Sequence, residues 1–153
     1  MSLKKKIFLS LFLIFVVIQF IQPSRNNEKP TGSDITKVYL MPGNIQSILK
    51  ESCYDCHSNS TRYPWYTHVQ PLGWWMAWHI REGKSELNFD EFAGYSSRRE
   101  KSKLKAIYES IDDETMPMPS YTWLHPSVRL TAEKKKILLK WIDEIQPTPA
   151  HEN

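Results

Sequence analysis

The chain has 153 residues, enough for one modest core and a tail rather than two full domains. Its 20 Lys and Arg against 17 Asp and Glu give a formal charge of +3, yet three of those lysines fall within the first 22 residues. Setting them aside leaves 17 against 17, so nothing recommends a nucleic-acid binder and no net field steers a partner.

In chain order, Lys4, Lys5 and Lys6 precede an apolar run from Ile7 to Phe20, broken only by Ser10 and Gln19. A basic cluster ahead of an apolar stretch is an export signal. No small-x-small cleavage site precedes Pro23. Residues 1–22 therefore read as a membrane anchor. The lysines stay inside, and the bulk of the chain lies on the periplasmic side of the cytoplasmic membrane. A cleaved signal peptide, leaving a soluble periplasmic protein, is the alternative. Residues 23–35 are polar and carry Pro, Gly and Asn, which predicts a flexible linker. The domain proper is then 36–146, with 147–153 as a tail.

Within that domain the expected class is all-α, with four short helices and long connections. Asn44 is placed to cap a helix that carries Ile45, Ile48 and Leu49 at helical spacing and runs into Cys53. Residues 58–73 read as loop, set by Pro64, Pro71 and Gly73. Residues 74–80, WWMAWHI, are apolar almost all round and predict a short buried helix ending near Gly83. Ser97 with Glu100 fits a capping box, and Leu104, Ile107, Tyr108 and Ile111 follow as one apolar face. MPMPSYTWLHP is expected to be irregular, because each proline turns the residue before it away from the helix. Thr131 is placed to cap a last helix with Ile137, Leu138, Trp141, Ile142 and Ile145 on its core side, stopped by Pro147.

The chemistry sits in ESCYDCHSNS. Cys53 and Cys56 are the only cysteines, and His57 follows directly. Covalent haem attachment uses all three: two thiols add across two vinyl groups of a haem, and the adjacent imidazole binds the iron. Export agrees with this, since that attachment is extracytoplasmic in bacteria. A thioredoxin-like pair would leave His57 without a task and expects a βαβ pattern that is not found. A zinc site lacks a second Cys pair or an H-x-x-x-H. A disulfide closing so small a loop has little entropy to gain.

These residues carry a resemblance. CYDCHSNSTRYPWY, PLGWWMAWHIREGKSELNF and MPMPSYTWLHPSVRLT, within about 36–145, resemble the bacterial haem-binding domain family, and in particular its Bacteroidetes-type members. Those are small exported proteins related to c-type cytochromes. The resemblance implies thioethers at Cys53 and Cys56, a proximal ligand at His57 and one covalent haem c. It implies a cytochrome c-like helical fold, and the family's Met-Pro and His-Pro motifs fall on Met116-Pro117 and His125-Pro126.

For the sixth iron ligand the residues leave several candidates: Met41, Met76, Met116, Met118, His68, His79 and His125. Met76 reads as core. Met116 and Met118 lie in a proline-fixed loop and point to one face if extended, so only one reaches the iron. Met116 comes first, with His79 and Met118 as alternatives. His68 and His125 read as loop-bonding groups. Arg62, Arg81 and Lys84 are candidate propionate partners. The function expected is one-electron transfer between redox partner proteins, with no catalytic residues. Haem-based gas sensing is the alternative, and a peroxidase-like enzyme a more distant one.

Overall fold

Helical spacing and burial coincide over most of the chain. The computed structural model describes residues 2–29 and 31–145. Seven helices appear there: α1 (Leu3–Ile18), α2 (Gly43–Ser52), α3 (Tyr54–His57), α4 (Leu72–Glu86), α5 (Ser97–Asp112), α6 (Pro119–Leu124) and α7 (Ala132–Ile145). Short 3-10 helices occupy Ile35–Lys37, Trp65–His68, Phe89–Gly94 and Pro126–Val128. No strand occurs among the described residues, only an isolated bridge between Asn27 and Ser60. The all-α class is therefore observed.

Two apolar clusters organise the domain. In the larger, Ile45, Ile48 and Leu49 of α2 meet Leu104 and Ile111 of α5 and Leu138, Trp141 and Ile142 of α7, with Phe89 and Phe92 filling between them. In the smaller, Met76 and Ile80 of α4 meet Tyr121 and Val128, and Cys56, Tyr63, Trp75 and Met118 pack around them. Met76, 1 % exposed, is core, as its spacing predicted.

Several boundaries differ from expectation for local reasons. α2 starts at Gly43 with Pro42 as its cap, so Asn44 lies inside the helix. α4 begins at Leu72 and passes through Gly83 to Glu86. Ser96, not Ser97, caps α5, its hydroxyl accepting from the Arg99 amide at 3.4 Å. The Met-Pro stretch is not irregular throughout, because Pro119 opens α6, where a first-turn proline forfeits no helical hydrogen bond. Thr131 behaves as predicted: its hydroxyl accepts from the Lys134 amide at 3.2 Å at the head of α7. The stop assigned to Pro147 and the tail with His151 lie outside the described residues.

Residues 23–35, expected as a flexible linker, make specific contacts with the domain at Asn26 and Ile35. Asn26 is buried and its amide donates to the Ser58 carbonyl and the Thr61 hydroxyl, both at 2.9 Å. Ile35 is fully buried in the larger cluster. A polar, Pro-containing segment ordered by side-chain hydrogen bonds gives no periodic signal in sequence. No helix among the described residues is long and apolar enough to cross a membrane. α1 has 16 residues, none buried against the domain.

Candidate functional site

A cavity of about 480 Å³ opens between the two apolar clusters, a volume within the usual range for cofactor sites. Its walls bring together Cys53, Cys56, His57, His79, Met116 and Met118. The two cysteines, His57, the first distal candidate Met116 and both its alternatives thus border one space, whereas Met41, Met76, His68 and His125 do not.

α3 is a single turn, and it presents Cys56 and His57 because α4 crosses it closely. The crossing depends on Gly83. A Cβ there would lie 2.8 Å from the Cys56 carbonyl oxygen and 3.2 Å from its Cβ, closer than real Cβ atoms approach backbone. Sequence reading took this glycine for a helix end, whereas its task is close approach. At this end of α4, His57 Nδ1 donates to the Gly83 carbonyl at 2.9 Å and to the Leu87 carbonyl at 3.1 Å. That fixes the tautomer and leaves Nε2 with a lone pair. An imidazole whose other nitrogen donates to backbone carbonyls is the usual setting of a metal ligand. Burial pulls the His57 pKa below its ordinary value, against the two carbonyls, which raise it. The neutral form, the one able to ligate a metal, is thereby favoured. Phe89 meets the imidazole edge-on at 6.4 Å between centroids and stacks on Tyr54 at 4.9 Å.

The thiols are free and partly buried. Burial pushes Cys53 up to about 12 and Cys56 up to about 11. A redox-exchange pair needs the opposite, a lowered thiol pKa, so the thioredoxin-like alternative loses support. No group of three or more His, Cys, Asp or Glu that could hold a metal ion occurs among the described residues.

Asp55, between the cysteines, was missed from sequence. It is buried, and its carboxylate accepts from the Arg62 amide, Nε and Nη2, each at 3.1 Å, and from the Tyr121 hydroxyl at 2.9 Å. Burial, aided by Asp55, drives the Tyr121 pKa above its ordinary value, so the hydroxyl remains a donor. One carboxylate therefore ties the cysteine turn to α6, the helix that follows the two methionines. The pair is 66 residues apart in sequence, so no local pattern could announce it.

Met116 is 41 % exposed at the cavity mouth, whereas Met118 packs on the smaller cluster and caps α6. His79 lies between Trp75 and Trp78, at 4.3 and 4.6 Å between centroids, with Nδ1 donating to the Trp75 carbonyl at 2.9 Å. His68 and His125 behave as loop-bonding groups, contacting Arg25 and Tyr121 respectively. Met41 packs beside the larger cluster.

A haem fits what these residues offer. The lining is mostly apolar, with two thiols and two imidazoles, His57 and His79, each bonded to backbone through Nδ1. Ser52 Oγ, buried in the same wall, has no hydrogen-bond partner among the described residues, and a polar group arriving with a ligand would satisfy it. Of the candidate propionate partners, Arg62 is committed to Asp55, and Arg81 and Lys84 border a different hollow. The lysine or arginine that does line the cavity is Lys103, paired with Glu86 at 3.2 Å. It was missed because one lysine among the many charges of α5 gives no signal, although it shares a face with Ile107, one turn on. No curated protein and no solved structure matches the chain. The family described as haem-binding domain matches residues 13–144, nearly the whole of it. With that match added to the cavity and its ligand set, the chain belongs to the haem-binding domain family and is a haem-binding protein.

Proposed function

We propose that this chain is a monohaem c-type cytochrome-like electron carrier at the outer face of the cytoplasmic membrane, exchanging electrons with redox partner proteins. The observation that carries the reading is the meeting of Cys53, Cys56, His57 and Met116 on one cavity of about 480 Å³. The two thiols serve as attachment points for one haem c. His57, held by the Gly83 and Leu87 carbonyls, would bind the iron through Nε2. Met116 would offer its thioether as a second ligand. Haem, when bound, supplies an iron that takes up and releases one electron. The chain holds it rigidly through the Asp55 network and keeps water away with aromatic and aliphatic walls, and such shells tune potential. α1, apolar from Ile7 onward but for Ser10, carries the membrane attachment. At about 24 Å it is shorter than a hydrocarbon core of about 30 Å, so local thinning or snorkelling of Lys4, Lys5 and Lys6 accompanies it.

One observation favours a second reading. Met116 is 41 % exposed, so packing does not lock its thioether, and a diatomic gas could displace it. That favours gas sensing. The optical spectrum of the reduced protein with and without carbon monoxide separates the two. An electron carrier keeps its spectrum, and a sensor changes at once.

A further inference from the structure

We propose that a second hollow, beside the end of α1, is a binding site for the phosphate of an anionic lipid headgroup, which sets the domain's orientation on the membrane. The inference rests on the membrane attachment proposed for α1. Its first support is a latch. The Gln70 amide donates to Gln19 Oε1 at 2.8 Å, and Gln19 Nε2 returns to the Gln70 carbonyl at 3.2 Å. Gln70 Nε2 donates to Gln22 Oε1 at 3.1 Å, and Trp74 Nε1 to the Ile21 carbonyl at 2.7 Å. Gln70 is fully buried. The apolar helix is therefore fastened to the head of α4 rather than hung from a free linker. Whatever borders its end sits at headgroup depth when α1 is in the bilayer.

What borders it is a hollow of about 390 Å³ between residues 23–28 and α4. Arg25, Arg81 and Lys84 line it, and Glu28 is the one carboxylate there among the described residues, leaving two positive charges in excess. Lys84 pairs with Glu28 at 3.1 Å, and Arg25 lies over the Tyr63 ring at 4.3 Å. Among the described residues Arg81 pairs only with Glu82, at 3.9 Å, and its side chain is 74 % exposed, so it can turn to an incoming phosphate. Tyr63, Trp74 and Trp78 supply the aromatic rim typical of interfacial depth. Cations and interfacial aromatics around a hollow at headgroup level recognise an anionic phosphate ester.

The test uses the full haem-loaded chain in a neutral detergent. Native mass spectrometry counts retained phosphatidylglycerol against phosphatidylcholine, and thermal unfolding is followed with either lipid or with inorganic phosphate. The expected result is a preference for phosphatidylglycerol that falls about fivefold for each cation removed, first in Arg81→Gln, then in Arg81→Gln/Lys84→Gln. Arg81 is exposed, so its variant folds, and an unaltered haem spectrum verifies this. Equal retention of both lipids, or equal preference in the variants, overturns the proposal. So does inorganic phosphate reproducing the whole thermal shift, which marks a free-anion site instead. Carbonate extraction of membranes reads the anchor separately: a chain that resists extraction but does not discriminate lipids refutes the headgroup site and leaves the anchor standing.

Discussion

Replacing Gly83 with alanine sets two effects of opposite sign against each other. In an ordinary helix interior the change stabilises by about 1 kcal/mol. Here the new methyl would lie 2.8 Å from the Cys56 carbonyl oxygen, a backbone atom that cannot rotate away. Forcing an extra carbon into a packed contact costs about 1–3 kcal/mol. The same shift moves the Gly83 carbonyl that accepts from His57 at 2.9 Å, and loosening that bond costs about 0.5–1.5 kcal/mol. The net expectation is a loss of about 1–3 kcal/mol, seen as a lower denaturant midpoint at unchanged slope. Because α4 then stands away from α3, a changed haem spectrum should accompany the loss. Gly43→Ala is the control: a Cβ there meets nothing within 4 Å, so its stability should match or exceed the wild type. If Gly83→Ala is as stable as the wild type with an unaltered spectrum, the close crossing is not what positions His57.

Other expectations follow from the same contacts. Tyr121→Phe should cost about 1 kcal/mol and Asp55→Asn about 1–3 kcal/mol, discounted because Arg62 is largely exposed, and a double-mutant cycle should show the two losses to be non-additive. Met116→Ala should remove the weak near-infrared band of a ferric iron–thioether bond, lower the reduction potential and admit carbon monoxide, with little effect on stability. Met118→Ala should keep the band and cost about 1–3 kcal/mol in packing; the opposite pattern moves the ligand two residues along, and loss of the low-spin spectrum only in His79→Ala assigns it to His79. Lys103→Met, by removing a cation from the cavity wall, should lower the reduction potential measured by redox titration, because ferric iron is then less disfavoured.

What sequence reading could reach was whatever repeats at helical spacing or depends on adjacent residues. The apolar faces of α2, α5 and α7 follow from Ile45, Ile48, Leu104, Ile111, Leu138 and Trp141, all of which the larger core contains. Cys53, Cys56 and His57 are neighbours on the chain, so their shared wall was foreseeable. Asp55 to Tyr121, Asn26 to Ser58 and Gly83 to Cys56 are pairings across distant segments, set by how α4 and α6 return to α3. Nothing in local composition encodes such a return. Met116 and Met118 both border the cavity, as a shared face requires, with Met118 capping α6 and Met116 the more exposed at the mouth.

The central claim, a haem joined to the chain through Cys53 and Cys56, is tested most directly by the intact mass of the denatured protein, measured after treatment with a thiol-alkylating reagent. The account predicts a single species carrying one haem and no alkyl groups, with Cys56→Ser retaining at most one thioether. A polypeptide of bare mass with two alkylated cysteines would contradict it.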